Sequence, residues 1–300
     1  MLLFAKVGRK LRRRSVFAPL GLMLAITLLI LAGSVLRHWH QTWFKEQQSA
    51  AARRPREVVS VFSVPGGSAS SVSASPAGYL SVGFIGDSLS TNGTPSAAES
   101  TGLSLLEMPG MRQVTIVNHA QAGTSAGDWL PENPDNYFAS AVAGFRQHRV
   151  RVVCVMLGTN DCSHFVQTPP PRYQVEMQTL VSRLCADGFV VVLNLPPDPH
   201  PGSGKWQVEA PGLMQQYRIR LVSIQQAHLQ QVALGDTSLL SVFKTPNATL
   251  DGVHPKPQTI RIMGEDWAKT LRRAFCLNAA RLHNAAELRP SVQAPTTCAG

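Results

Sequence analysis

From residue 79 onward, short Val-rich apolar runs alternate with longer amphipathic stretches, and this alternation constrains the fold more than any other feature. The runs are YLSVGFIG (79–86), VTIVNHA (114–120), VRVVCVMLG (150–158), FVVVLNLP (189–196) and, more weakly, SLLSVF (238–243). Between them lie NYFASAVAGFRQH (136–148), RYQVEMQTLVSRLCADG (172–188) and GLMQQYRIRLVSIQQAHLQQVA (212–233), and QTIRIMGEDWAKTLRRAF (258–275) closes the pattern. A strand that is apolar along its whole length is buried on both faces, the condition of a parallel sheet. Strand–helix alternation then predicts an α/β domain over 79–276, a five-stranded parallel sheet with helices on both sides. That span is within the size of a single domain.

The full chain has 300 residues and a formal net charge of +10, but the charge is not on this domain. Residues 1–56 hold eleven Lys and Arg against one Glu, whereas 57–300 hold seventeen of each sign. A nucleic-acid face needs its cations on the folded domain, so no nucleic-acid partner is expected. The basic cluster Lys6, Arg9, Lys10, Arg12, Arg13 and Arg14 instead precedes VFAPLGLMLAITLLILAGSVL (16–36), which carries no charge. At about 1.5 Å per residue, a helix of that length crosses a hydrocarbon core of about 30 Å. Residues 1–15 therefore read as a basic cytoplasmic tail and 16–36 as a transmembrane anchor in the lipid bilayer. Everything beyond is expected to be periplasmic or extracellular. A cleaved signal would have a shorter apolar region, about 7–15 residues, and a small-x-small site after it. This chain has RHWHQTW there. Residues 37–78, rich in Ser, Ala, Pro and Gly, read as a flexible linker, and 277–300 as a loosely ordered tail.

Cysteines stand at Cys154, Cys162, Cys185, Cys276 and Cys298, an odd number, so at least one thiol is unpaired within the chain. Cys154, inside an apolar run, is expected to pack as a small hydrophobe; the pairing of the others stays open. No Cys-x-x-Cys or His-rich ligand spacing is present, so no metal or other cofactor is expected.

In open parallel sheets ligands gather beyond the carboxyl ends of the strands. Ser88 lies two residues past the first run, Gly123 just past the second, Asn160 past the third and His254 past the last. A serine hydroxyl becomes a useful nucleophile when a base takes its proton, and a histidine titrates in the right range. Asp251, three residues before His254, can hold the imidazole in one tautomer from within the same tight loop. The backbone N–H groups of Ser88 and Gly123 and the side-chain amide of Asn160 are suitable donors for an oxyanion.

The segments GDSLS (86–90), Gly123 after Asn118, GTND (158–161) and DGVHP (251–255) resemble, in order, the four blocks of the SGNH/GDSL hydrolase family over residues 80–275. The resemblance implies a flavodoxin-like three-layer fold and ester hydrolysis through an acyl-serine intermediate. Residue by residue, it implies Ser88 as nucleophile, His254 as base, Asp251 as its partner, and Ser88, Gly123 and Asn160 as oxyanion donors. The expected function is a membrane-anchored esterase acting on a small acyl ester, acetyl in type, on an envelope carbohydrate. Two alternatives stay open: transfer of the acyl group to a polysaccharide, and a catalytically silent carbohydrate-binding module on the same fold. GTSAG (123–127) offers a rival serine, Ser125, in a Gly-x-Ser-x-Gly pattern, but a nucleophile elbow needs a strand straight in and a helix straight out. His200, in PPDPHPGSGKW, is a rival base without a carboxylate three residues before it.

Overall fold

The computed structural model describes residues 57–64, 78–91, 93–199, 210–236, 238–245 and 247–286, except the side chains of 210, 238, 239 and 275–286. The expected anchor, the basic tail, His200 and residues 287–300 lie outside the described residues. Among those described, no helix is long and apolar enough to cross a membrane.

The strands are β1 (Val58–Ser63), β2 (Tyr79–Gly86), β3 (Gln113–Asn118), β4 (Val152–Met156), β5 (Val190–Leu193) and β6 (Val232–Leu234), in the order β1-β3-β2-β4-β5-β6. β2 to β6 are parallel. Their near-continuous Val, Ile and Leu are buried as the runs demand, all five residues of β4 included. Cys154 is among them, packed as a small apolar group.

Two expectations are corrected. The sheet is six-stranded and mixed, because β1 pairs antiparallel with β3, Val58 opposite Asn118 and Ser63 opposite Gln113. This strand falls in the stretch 37–78 that reads as linker. An edge strand has one neighbour and a wet side, so it needs no unbroken apolar run: Ser60 and Phe62 are half-buried while Val59 and Val61 are exposed. The second correction concerns SLLSVF, which is helical. Ser238–Val242 forms α6, whose Leu240 and the following Phe243 pack on the core three positions apart. The fifth parallel strand is Val232–Leu234, only three residues long and merged in the sequence with the amphipathic stretch before it.

The other helices are α1 (Ser88–Thr91), α2 (Ala97–Leu106), α3 (Tyr137–Gln147), α4 (Pro170–Ala186), α5 (Ala210–Ala227) and α7 (Pro257–Ala286). The periodicity does not announce α2. A capping box starts it: Glu99 N–H donates to Ser96 Oγ at 3.2 Å, and Ser96 N–H donates to the Glu99 carboxylate at 2.8 Å. Apart from Leu105, its buried residues are small. A Cβ at Gly102 would come within 2.7 Å of Ile116 in β3 and of Phe62 in β1, so the helix lies closer to the sheet than a larger residue allows.

Strand order reverses direction at β2: the chain steps to β3 on one side, then to β4, β5 and β6 on the other. Right-handed crossovers therefore put α2 on the opposite face from α3, α4 and α5. α7 packs against α2, and α4 packs against α5. The reversal opens a crevice at the carboxyl end of β2, where such sheets bind ligands. Ser88 stands there.

Candidate active site

The turn that carries Ser88 is built by the residue before it. Asp87 is fully buried; its Oδ1 accepts Leu89 N–H at 2.9 Å and its carbonyl accepts Ser90 N–H at 3.1 Å. These bonds bend the chain out of β2 and into α1. Gly86 makes room for the bend, since a Cβ there would run into the Ser90 hydroxyl and come within 3.0 Å of Met156 O. Burial pushes the Asp87 pKa up to about 6, against the pull of hydrogen bonds from Leu89 and Thr159 and of the charge of His254.

His254 arrives from the far end of the chain. Residues 248–256 form a closed loop: Leu250 N–H donates to His254 O at 2.7 Å, and Lys256 N–H donates to Ala248 O at 2.9 Å. At its tip, Asp251 Oδ1 accepts the N–H groups of Val253 (3.1 Å) and His254 (2.8 Å). The loop leads into α7, whose first turn seats Ile260 against Gly93 just beyond α1. The packing of α7 on α2 thus brings the imidazole to the serine, although 166 residues separate them in sequence. His254 Nε2 lies 3.0 Å from Ser88 Oγ, and His254 Nδ1 lies 2.6 Å from Asp251 Oδ2. With Nδ1–H donated to the carboxylate, Nε2 accepts the serine hydroxyl. Partial burial would raise the Asp251 pKa, but the hydrogen bonds from His254 and Val253 and the nearby imidazole outweigh it, so the carboxyl lies below its ordinary range.

Two further loops close on this set. Gly123 has φ +84°, a left-handed conformation that suits glycine, and it lies in the segment that follows β3. That segment is fastened to the β2 exit: Gln121 N–H donates to Gly86 O at 2.9 Å. The Thr124 hydroxyl accepts Trp129 Nε1–H at 3.0 Å and lies 2.8 Å from Gln121 O and 3.2 Å from Gly86 O. From the β4 exit, Asn160 Nδ2 donates one proton to Thr124 O at 3.0 Å, which leaves its second N–H for another acceptor. Ser88, His254 and Asp251 are thus joined in one hydrogen-bonded chain, and Asn160 is bonded to the residue next to Gly123.

The rival serine is engaged elsewhere. Ser125 Oγ donates to Asp128 Oδ2 at 2.8 Å, and its N–H reaches the same oxygen at 2.7 Å, capping the 3-10 turn Ala126–Trp129. Trp129 is fully buried, a core residue. Sequence reasoning passed over Thr124 and Asp161, both buried at this rim. The available signal for Asp161 was its place directly after Asn160 in GTND. Among the described residues, no group of three or more His, Cys, Asp or Glu side chains is placed to hold a metal ion.

This architecture recurs in solved esterase structures. A mutant of Axe2, an acetyl-xylooligosaccharide esterase from Geobacillus stearothermophilus, matches with a TM-score of 0.51 and 17% identity over 65% of this chain and 93% of that one. The inhibitor-bound M. smegmatis aryl esterase matches with a TM-score of 0.51 and 16% identity over 65% of this chain and 99% of that one. No protein-family model matches the sequence, and no curated protein matches it significantly. At these identities the likeness establishes the fold alone, an α/β architecture shared with these two esterases.

Proposed function

We propose that this chain is a serine ester hydrolase acting on a small acyl ester of acetyl type, carried by a carbohydrate of the cell envelope. The observation that supports it most is the relay Asp251–His254–Ser88, with contacts of 2.6 and 3.0 Å. Attack of Ser88 Oγ on the ester carbonyl forms the new C–O bond and passes the hydroxyl proton to Nε2. The former carbonyl oxygen takes up the negative charge, and the N–H groups of Ser88, Gly123 and Asn160 Nδ2 are its donors. The imidazolium, steadied by Asp251, gives its proton to the leaving alcohol as the intermediate collapses to an acyl-serine. Water then repeats the sequence and releases the acid. The two neighbours, an acetyl-xylooligosaccharide esterase and an aryl esterase, support an ester substrate, and the first favours an acetylated sugar. We assign residues 16–36 to a transmembrane anchor with the N-terminus in the cytoplasm, which puts the catalytic domain in the periplasm or outside the cell. An envelope polymer fits that location.

A fluorophosphonate probe tests the reading. The wild type should be labelled and Ser88→Ala should not. Labelling that persists in the variant rejects Ser88 as nucleophile, and an unlabelled wild type that binds acetylated sugar without turnover rejects hydrolysis.

A further inference from the structure

Asp161 follows Asn160 and is fully buried. Its carboxyl accepts Ala126 N–H, at 3.0 Å through Oδ2 and 3.3 Å through Oδ1, and it accepts the Thr168 hydroxyl at 3.0 Å. Its own backbone is held from the other side. The Asp161 carbonyl accepts Thr168 N–H at 2.9 Å, and the Tyr217 hydroxyl, which donates to Thr168 O at 2.5 Å, lies 3.2 Å from it. Tyr217 in α5 is stacked on Tyr173 in α4, with ring centroids 4.1 Å apart. The residue is thus anchored to the helical layer and reaches out to the neighbouring loop.

Asn160 and Asp161 grip that loop at two points, Thr124 O and Ala126 N–H. The Thr124 hydroxyl already ties the segment to Gly86 O on the β2 side; these two contacts of opposite polarity hold it from the β4 side and set its rotation toward Asn160. We propose that Asp161 is a positioning residue for the oxyanion site, holding the Gly123–Ala126 segment against Asn160 so that the Gly123 N–H and the Asn160 amide converge on one oxygen. This rests on the ester-hydrolase reading above. The role calls for an acceptor rather than a charge. Burial pushes the Asp161 pKa up to about 7; hydrogen bonds from Ala126 and Thr168 oppose that rise, and the nearby carboxylates of Glu176 and Asp128 add to it. A neutral carboxyl still accepts Ala126 N–H through one oxygen.

The test uses the active wild type and an aryl acetate. Asp161→Ala should lower kcat by about 10- to 100-fold with KM within about twofold, the signature of an interaction made in the transition state. Asp161→Asn should keep kcat within about threefold of wild type, since its amide oxygen can take Ala126 N–H while its NH₂ donates to Thr168. Combined with Asn160→Ala, the loss from Asp161→Ala should fall clearly short of the product of the two single losses, because the two side chains act on one loop. A merely structural role would lower the melting temperature without this coupling. An unchanged kcat in Asp161→Ala, losses that multiply, or a loss in Asp161→Asn as deep as in Asp161→Ala each overturns the assignment. If Asp161→Ala does not fold, Asp161→Ser carries the same expectations, its hydroxyl being too short to reach Ala126. A wild type with no probe labelling and no turnover overturns the hydrolase reading, and this assignment with it; failure of the cycle in an active wild type overturns this assignment alone.

Discussion

Two serine-bearing loops meet at the crevice, and they use the same hydroxyl for different ends. Ser88 leaves β2 through a sharp turn and finds an imidazole at 3.0 Å; Ser125, seven residues beyond β3, finds a carboxylate at 2.8 Å. Each loop rests on a buried carboxyl, Asp87 under the first and Asp161 behind the second. An imidazole near neutrality can take a serine proton and return it, which a carboxylate, a much weaker base, does poorly. The Asp128 contact instead satisfies a backbone N–H at the start of a turn. Neighbours, more than the local Gly-x-Ser pattern, decide which hydroxyl has a base within reach of its proton.

The comparison can be broken most directly at the imidazole. His254→Ala should cost about 10⁴- to 10⁶-fold in kcat, on the scale of losing a member of a serine triad, measured with an aryl acetate. A loss below tenfold would remove the distinction between the loops. Ser125→Ala should leave kcat within about threefold and lower stability by about 1 kcal/mol, as for a lost side-chain hydrogen bond, read from denaturant melts. A collapse of kcat there would reverse the two roles. A further effect, confined to stability, concerns the carboxyls beneath. Both have folded pKa values raised above the ordinary 3.8, to about 6 for Asp87 and about 7 for Asp161. Their contribution to stability is therefore full below pH 3.8 and is lost as pH rises through those values. Relative to wild type, Asp161→Asn should gain about 5 °C in Tm between pH 4.5 and pH 8, and Asp87→Asn less, with its gain complete at lower pH. A Tm gap that stays constant with pH would show that these groups do not titrate as stated.

The relay was legible because its chemistry is carried by short, ordered blocks beyond strands whose apolar runs are unmistakable. Ser88, His254, Asp251 and Asn160 could each be named before their distances were known. The clamp at Asp161 was not, because nothing in GTND distinguishes a carboxyl that holds a neighbouring loop from one that faces water. α2 escaped because its packing surface, Leu105 apart, is made of Ala, Ser, Thr and Gly, which are chosen for closeness rather than hydrophobicity. β6 is too short to carry a period. β1 had a signal, VVSVFS, but a Ser- and Pro-rich setting hid it, and an edge strand's alternation is weaker than a buried strand's run.

That edge strand determines where the catalytic body can be cut from the rest of the chain. Release after residue 64, at the Ser-rich stretch that looks most dispensable, would remove six paired residues from β3. The outer rail of the sheet would then stand bare, with Phe62 gone from beside Gly102. Such a rail is a template for the next molecule's strand, so the shortened body would tend to self-associate.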